Sequence, residues 1–443
     1  MSGYLTDSIG SAGNRKTFTI SAWVKVNGTT TNQTIFGNGT NPQNSGKFYF
    51  AVNNNVRIGG GGNVYLVTNR VFRDPASWYH MVCAVDTTQG TAADRIKFYV
   101  NGVQETSFST SSYPGQNDNT PVNESGKINT FGAEQGGGES WDGYMTHMVM
   151  VDGAQLTPSN FGETDSTTGE WKPKPDPTGV TYGTNGAFLK CENSGNFGLD
   201  SSGQGNNYTS NSFPAGAHTV DCASNNFCTM NPLANKYPNS TFTLGNLAVA
   251  MGASQSTFNT GTFGVSSGKW YFEMKPTAMG SGTDNCLVGI VSRSDSTGTS
   301  DYLGEPNSVV YRNNGQYKKD SGNATYGASW TTSNIVMVAV DCDNNNIYFG
   351  TDNQWADGSG NNDEAAPNSA ISFTSQMISD GVVFPTFGDL STNSPEPAGQ
   401  FNFGNPPFTI SSGNADANGY GNFEYAPPTG YYALCTKNIN QYG

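Results

Sequence analysis

The chain has 443 residues, a formal net charge of −14 at pH 7, and a composition with 12% aromatic but only 13% charged residues. This length is enough for two or three domains with their own hydrophobic cores, and the aromatic content argues against intrinsic disorder. The acidity excludes the basic surfaces by which proteins bind nucleic acids or anionic membranes, so we expect neither as a partner.

The start of the chain and its cysteines predict a protein that folds in a reducing cytosol. The opening stretch "MSGYLTDSIG" has no charged start and no long apolar core, so it predicts no secretory signal. The longest apolar run, "IVMVAV" (335–340), has the length of a strand and not of a membrane span. The seven cysteines lack CxxC spacing and are predicted to be free and mostly buried, while a pairing of Cys222 with Cys228 in one loop stays open. The three histidines show no ligand spacing, so no zinc site is expected.

Residues 1–170 consist of short segments in which apolar and polar residues alternate, separated by turn-forming residues. Alternation with a period of two, interrupted by Gly- and Asn-rich turns, predicts an all-β sandwich. The clearest segments are "KTFTISAWVKV" (16–26), "KFYFAV" (47–52), "DRIKFYVNG" (94–102) and "GYMTHMVMVDG" (143–153).

The composition changes between residues 171 and 240. This part begins with the proline-rich "WKPKPDPTG" and continues with a long run of turn formers, so it is predicted to be an irregular interdomain connector. Strand-like segments such as "GKWYFEMK" and "GVVFPTFG" return in residues 241–443. The predicted fold is therefore all-β, with two jelly-roll-like β-sandwich domains (1–170 and 241–443) joined by a Gly/Pro/Asn-rich irregular segment.

One window, from Trp78 to Gln104, contains a histidine, a cysteine and two aspartates and so raises the question of an active site. Successive side chains of a strand point to opposite faces of the sheet, which places His80 and Cys83 on opposite sides. A nucleophile and its base must lie within hydrogen-bond reach, so a local Cys–His dyad is not expected. Asn101-Gly102 predicts a hairpin turn, and the whole window is interpreted as structural.

The same window has a counterpart in the second half of the chain. "AVD" (84–86) is followed by a polar loop and "IKFYVNG", and "AVD" (339–341) is followed by a polar loop and "IYFGTDN". The correspondence is short, but it predicts two domains of similar sandwich type.

These motifs resemble two known families. Segment 1–170 resembles the laminin-G-like branch of the concanavalin A-like lectin/glucanase superfamily, through "TFTISAWVKV", "WYHMVCAVD", "RIKFYVNG" and "GYMTHMVMVDG" followed by "LTPSNFG". Region 241–438 resembles a SPRY domain, through "GKWYFEMK", "LVGIV", "VMVAVDCDNNNIYFG", "FPTFG" and "FNFG". SPRY domains are also bent β-sandwiches, so the resemblance implies the same general architecture for both domains.

The motifs taken in order resemble large virion-associated proteins of marine bacteriophages, over nearly the whole chain. They include "SAGNRKTFTISAWVK", "DTTQGTAADRIKFYVNG", "DSSGQGNN", "NNFCTMNPL" and "GVSSGKWYFE". This resemblance implies a virion surface protein, such as a tail fibre, an appendage or a capsid decoration, made and assembled in the host cytoplasm. It also implies other virion proteins as partners and a homo-oligomer, with a trimer among the arrangements.

Catalysis is not expected. Glucanases of the superfamily place two carboxylates on one strand in an E-x-D-x-x-E pattern, and this chain has no such pattern. The acidic clusters in 132–143 and 361–368 have a different spacing and lie in Gly- or Asn-rich loops. The chain also has no GxSxG elbow and no phosphate loop, so a glycan hydrolase is the least favoured of the three hypotheses.

The first hypothesis is a protein that binds host-surface glycans. Sugar sites combine aromatic platforms with amide and carboxylate groups on loops of a rigid scaffold. The candidates of this kind are Trp141 with Asp142, Tyr311 with Asn313, and Trp355 with Asp352 and Asn353. The alternative for each aromatic residue is a half-buried structural role.

Calcium at a lectin-like rim is the one cofactor considered, with Asp142, Asp341 and Asp343 as candidate ligands. The alternative for Asp341 and Asp343 is turn formation by "DNNN".

The second hypothesis for the protein is a purely structural capsid or tail decoration, or cement protein, without glycan binding.

Overall fold

The protein consists of two compact units, Met1–His218 and Thr219–Gly443. The computed structural model describes residues 3–28, 32–39, 48–60, 62–214, 216–235, 240–252, 257–280, 286–292, 303–390 and 395–443. Strands dominate both units, which confirms the predicted all-β class.

The strands of the first unit follow closely on one another. They are β1 (Tyr4–Ser8), β2 (Thr17–Val26), β3 (Gln33–Asn38), β4 (Phe48–Asn53), β5 (Asn55–Gly60), β6 (Asn63–Val71), β7 (Trp78–Asp86), β8 (Ile96–Val100), β9 (Val103–Glu105), β10 (Phe108–Ser111), β11 (Ile128–Phe131), β12 (Gly143–Asp152), β13 (Gly162–Thr164), β14 (Trp171–Pro173), β15 (Ala187–Leu189) and β16 (Thr209–Asn211).

Two antiparallel sheets form the sandwich of the first unit. Sheet I has the order β10-β6-β5-β4-β3-β11-β1-β16, and sheet II has the order β15-β12-β2-β7-β8-β9. Alternate residues of both sheets meet in one core, with Leu5, Phe36 and Phe131 from sheet I and Phe18, Ile20 and Cys83 from sheet II. The period-two pattern of the sequence therefore corresponds to a buried face on each sheet.

The outer face of sheet II is covered as well. Val82 and Val151 on this face pack with Phe161 and Phe188 in a second cluster, to which the partly buried Tyr182 also belongs. The strands β13 and β14 pair with each other, β15 joins sheet II and β16 joins sheet I. Residues 154–182 thus form a third layer on the first sandwich.

This third layer changes the boundaries expected from the sequence. The predicted connector 171–240 is divided, with residues up to His218 in the first unit and residues from Thr219 in the second. A segment rich in Pro, Gly and Asn has no regular apolar period, and sequence patterning therefore classified it as a connector. Its isolated aromatic residues find apolar partners on an outer sheet face, which only the tertiary structure reveals.

The second unit is built in the same way. Its strands are β17 (Met230–Asn235), β18 (Thr241–Thr243), β19 (Ala248–Ala250), β20 (Thr257–Gly261), β21 (Lys269–Ala278), β22 (Leu287–Val291), β23 (Ser308–Arg312), β24 (Gln316–Lys319), β25 (Gly322–Thr325), β26 (Val336–Asp341), β27 (Asn346–Thr351), β28 (Gln354–Ala356), β29 (Asn362–Glu364), β30 (Ile371–Ser372), β31 (Phe384–Asp389), β32 (Ala398–Asn402) and β33 (Tyr432–Ala433).

Sheet III has the order β17-β20-β31-β22-β23-β24-β25, and sheet IV has the order β18-β19-β32-β21-β26-β27-β28-β29, with β30 and β33 at its sides. Their facing sides share a core that includes Trp270, Phe272, Ile290, Tyr311 and Phe387. The outer face of sheet IV is covered by the C-terminal part of the chain, where Tyr271 and Trp355 pack against Phe423 and Tyr431. Both sandwiches therefore carry an irregular third layer on one sheet.

Helices are minor elements. Within the described residues, the α-helices are α1 (Ser375–Asp380) and α2 (Thr436–Tyr442). Neither has the length or the apolar character needed to cross a bilayer.

The turn at Asn101-Gly102 joins β8 to β9 with φ angles of 48° and 82°, as a hairpin turn of this sequence requires. A Cβ on Gly102 would lie 3.0 Å from the ring of Trp171, whereas a Cβ on Gly126, at φ 81°, would meet no atom within 4 Å. Both Gly→Ala variants should lose about 1–2 kcal/mol through the positive φ. We expect Gly102→Ala to lose more than Gly126→Ala in urea unfolding, because only Gly102 is also packed against a ring; equal losses would contradict this packing.

Candidate functional site

The histidine and cysteine of the window from Trp78 to Gln104 lie on opposite faces of sheet II. Cys83 belongs to the core between the sheets, where burial raises the pKa of its thiol. His80 lies on the outer face, with Phe161 and Trp171 of the third layer near its ring. The expectation that they form no dyad is confirmed, and all seven cysteines, including Cys222 and Cys228, are free.

His80 is a fully buried structural residue. Its ring stacks on Trp23 at 4.7 Å between centroids and lies 6.0 Å from the ring of Trp171. Its Nδ1 accepts a hydrogen bond from the indole N–H of Trp171 (3.0 Å), so its proton is on Nε2, which lies 2.8 Å from the hydroxyl oxygen of Ser21. Burial, and secondarily the charge of His147, lowers the pKa of His80 to about 3. The site is closed to substrates and holds a neutral imidazole.

The three aromatic residues predicted as sugar platforms are buried, which corrects their assignment. Trp141 is 4% exposed and Trp355 is also 4% exposed, while Tyr311 is fully buried and donates a hydrogen bond to the carbonyl of Ala328 at 2.6 Å. Each belongs to a hydrophobic cluster of its unit. A ring with no free face cannot stack on a sugar, and the alternation pattern did not show that the loops fold over these rings.

The polar partners of these aromatics hold loops together. Asp142 accepts a hydrogen bond from the side chain of Asn27 (3.0 Å), and the backbone N–H of Asn313 donates to the carbonyl of Cys286 (3.3 Å). Asp352 and Asn353 are the two positive-φ residues of the turn between β27 and β28. The structure therefore does not bring the predicted glycan residues together at one site.

The predicted calcium ligands are also separate. Asp341 is 3% exposed and forms a 2.8 Å ion pair with Lys269, while Asp343 accepts the backbone N–H of Gly268 at 2.8 Å. Burial alone would raise the pKa of Asp341, but hydrogen bonds from Lys269 and Asn344 lower it below its ordinary value. Asp142 lies in the other unit. Among the described residues, no group of three or more His, Cys, Asp or Glu side chains is arranged to hold a metal.

A pocket of about 240 Å³ opens at one side of the first sandwich. The chain leaves sheet II through its edge strand β9, crosses over two residues, and enters sheet I as its edge strand β10. The pocket lies beside this crossing and is lined by residues of β8, β9, β10 and the segments next to them. Its residues are Ala93, Ile96, Phe98, Gln104, Glu105, Thr106, Phe108, Ser111 and Tyr113.

The pocket combines an apolar floor with a polar rim. Ile96 and Phe98 are core residues, and Phe108 and Tyr113 are partly buried aromatics packed against that core. Glu105 pairs with Phe98 across β8 and β9, so its side chain faces the pocket side of the sheet. It is the one charged residue in the described lining, and one of its oxygens accepts the backbone N–H of Ser107 at 3.0 Å.

This combination of aromatic, hydroxyl and carboxylate groups can bind a small polar ligand with one apolar side. Its described lining residues include no nucleophile paired with a base. The sequence did include a signal for it: "VQETSFSTSSY" (103–113) mixes aromatics with small polar residues directly after the hairpin. The signal was missed because an open sandwich edge cannot be inferred from the period of two alone.

A comparison with protein families matches residues 2–160 to Laminin_G_3, described as the concanavalin A-like lectin/glucanases superfamily. The matched range lies within the first unit and includes the lining residues of the pocket, 93 to 113.

Similar solved structures include the SPRY domain of human HERC1, with 15% identity, a TM-score of 0.31, and coverage of 39% of this chain and 96% of that chain. A human SPRY domain has 14% identity, a TM-score of 0.26 and coverage of 37% and 94%. A heptameric SAP-like pentraxin from Limulus polyphemus has 17% identity, a TM-score of 0.27 and coverage of 35% and 72%. TM-scores this low carry no inference about function, so the SPRY character of the second unit stays a prediction. No curated protein matches the chain.

Proposed function

We propose that this chain is a non-enzymatic binding protein of the bacteriophage virion surface, which contacts host-surface glycans through the pocket of its concanavalin A-like domain. The observation that carries the glycan part is the pocket itself, with the aromatic side chains of Phe108 and Tyr113 beside the carboxylate of Glu105. The resemblance of ordered motifs along the chain to virion-associated proteins supports the location on a particle.

The chemistry of the pocket fits a sugar. The apolar face of a pyranose ring packs on aromatic rings, and its hydroxyl groups donate to carboxylates and accept from amides. Glu105 supplies the acceptor, and Thr106 and Ser111 supply hydroxyl groups. Because Glu105 brings a negative charge, we expect neutral sugars to bind better than acidic ones.

The proposal can be tested by measuring how the recombinant full chain binds to a glycan array. The variant Glu105→Gln keeps the shape of the side chain but loses its charge, and it should weaken glycan binding about tenfold or more, as expected for a hydrogen bond to a charged group. Phe108→Ala should weaken binding by a similar factor through loss of the aromatic face. The matched control is Glu192→Gln, an exposed carboxylate of the same unit, which should bind as the wild type does. Unchanged binding by both pocket variants would refute this assignment of the pocket.

The structural alternative is a decoration or cement protein in a symmetric homo-oligomer with other virion proteins. It is favoured by edge strands that end the described sheets, such as β9, whose Val103 is 70% exposed. Edge strands offer unpaired backbone groups to a neighbouring chain. Labelled-antibody microscopy of phage particles locates the protein. Incorporation into particles without any glycan binding would support this alternative. Absence of the protein from particles would overturn the virion location that both hypotheses assume.

A further inference from the structure

Two tyrosines of the second unit lie face to face. Tyr432 belongs to β33, and Tyr442 is the last residue of α2. Their ring centroids are 4.0 Å apart, and their planes differ by only 10°. A hydrogen bond also links the two hydroxyl groups. Because the rings are parallel and their hydroxyls meet, the Cε carbons beside the hydroxyl of one ring face those of the other ring.

The contacts around α2 hold the two rings in this arrangement. Asn438 is 0% exposed, and its side-chain amide donates to the carboxylate of Asp416 (2.7 Å) and to the carbonyl of Ala433 (2.9 Å). The hydroxyl of Tyr442 lies 3.4 Å from both side-chain polar atoms of Asn418. Asn418 in turn donates to Oδ1 of Asn438 at 2.8 Å. The stacked pair is therefore positioned by a buried hydrogen-bond network of the second unit.

Other tyrosine pairs in the described part of this unit meet nearly at right angles. The rings of Tyr311 and Tyr326 have centroids 5.8 Å apart at 79°, and those of Tyr317 and Tyr326 have centroids 5.9 Å apart at 87°. Such pairs bring the edge of one ring to the face of the other and do not align their Cε carbons. Tyr311 and Tyr326 are also buried, whereas both rings of the stacked pair are half-buried and accessible to small molecules.

We propose that Tyr432 and Tyr442 form an oxidative cross-linking site, at which a peroxide-dependent one-electron oxidant joins the two rings as dityrosine. Each ring gives up one electron and its phenolic proton, and the unpaired electron of the phenoxyl radical is shared with the Cε carbons. A bond then forms between one Cε carbon of each ring. The hydrogen on each of these carbons moves to the oxygen of its own ring, which restores both phenols. The electrons and protons removed from the two rings convert one hydrogen peroxide into two water molecules.

The cross-link ties the end of α2 to β33. Two reacting groups that the fold holds together react faster than the same groups on separate molecules, so coupling within one chain is favoured over coupling between chains. A helix of seven residues opens readily without tertiary contacts, and a covalent bond at its last residue opposes this opening. The site lies in the second unit and does not depend on the proposed glycan pocket of the first.

The test treats the full chain at low protein concentration with peroxidase and hydrogen peroxide. We expect the monomer fraction, isolated by size exclusion, to gain the blue fluorescence of dityrosine. Lys437 lies between the two tyrosines, so trypsin should release two peptides that stay joined and weigh two hydrogen atoms less than their sum. Hydrogen exchange of α2 should be slower in the cross-linked monomer than in the untreated one.

Two conservative variants keep the ring stack but remove one phenol each. Tyr432→Phe and Tyr442→Phe should both lose the fluorescence of the monomer fraction and the joined peptides, because phenylalanine forms no phenoxyl radical. The matched control is Tyr317→Phe, which removes a half-buried tyrosine of the same unit and should cross-link as the wild type does. A wild-type monomer without dityrosine would overturn the site, as would monomer fluorescence that persists in both variants of the stacked pair.

Discussion

Acidification from pH 7 to about pH 4 is expected to lower the free energy of unfolding of the first unit by about 3 kcal/mol through His80 alone. Burial, and then the charge of His147, lowers the pKa of His80 to about 3 from an ordinary value of 6.5. At about pH 4 His80 is therefore mostly neutral in the folded state, whereas it is protonated in the unfolded chain. The stabilising contribution is complete above pH 6.5 and is lost as the pH falls toward 3.

The hydrogen bonds of His80 also predict that protonation destabilises the first unit. Protonation would place an N–H on Nδ1, directly opposite the indole N–H of Trp171, and two donors would then face each other. His147, whose pKa burial also lowers, to about 4, adds to the effect in the same direction.

Urea unfolding of the full chain at the two pH values measures this effect, with hydrogen exchange of peptides from β7 assigning the transition to the first unit. The variant His80→Gln is the control, because its amide can accept from Trp171 and donate to Ser21 but does not titrate. We expect the pH dependence of the variant to be smaller by about 3 kcal/mol. An identical pH dependence of the two proteins would show that His80 is not the group responsible.

The second unit should respond to pH in the opposite direction because of Glu273. This side chain accepts hydrogen bonds from the backbone N–H groups of Tyr425 (2.8 Å) and Glu424 (3.0 Å), from the side chain of Asn402 (2.9 Å) and from the hydroxyl of Tyr271 (3.1 Å). Burial outweighs these bonds and raises the pKa of Glu273 to about 7 from 4.5. A raised pKa means that its stabilising contribution is complete below pH 4.5 and is lost as the pH rises through 7.

Between pH 5 and about pH 8 the expected loss is about 2–3 kcal/mol. Glu273→Gln does not titrate, so this variant should show no such loss, although its NH₂ group faces hydrogen-bond donors and lowers the stability at every pH. Exchange of peptides from β21 assigns the transition, and Asp363→Asn, an exposed carboxylate of the same unit, serves as the control. If the variant lost as much stability between pH 5 and pH 8 as the wild type does, Glu273 would not be the group responsible.

The repeated "AVD" motif predicted a local arrangement of strands that both units contain. The two motifs end β7 and β26, and each of these strands lies beside a long, ten-residue strand of its sheet and is followed by a hairpin partner. Asp86 accepts a hydrogen bond from Thr17, and Asp341 accepts one from Lys269, at the start of that long strand in both units. A short motif thus predicted a shared local arrangement, because hairpins are encoded locally by turn residues and alternation.

The candidate sites were predicted less well. Trp141, Tyr311 and Trp355 were chosen as aromatics beside polar residues in loops, and the structure buries all three. The pocket at Glu105 lies within residues 93–113, where the chain passes from the edge of one sheet to the edge of the other. The segment contains the aromatic and polar residues of the pocket, but the alternation pattern does not show that they surround a cavity.

What the sequence by itself determined was the all-β class, the hairpin at Asn101-Gly102 and the face on which each strand residue lies, since a period of two and turn chemistry are local properties. Only the tertiary structure decided whether a face is covered. His80 and Glu273 lie on outer sheet faces, where alternation alone predicts solvent, and segments 154–182 and 414–435 cover them. Covering requires contacts between distant parts of the chain, and these contacts convert two ordinary side chains into buried groups with shifted pKa values.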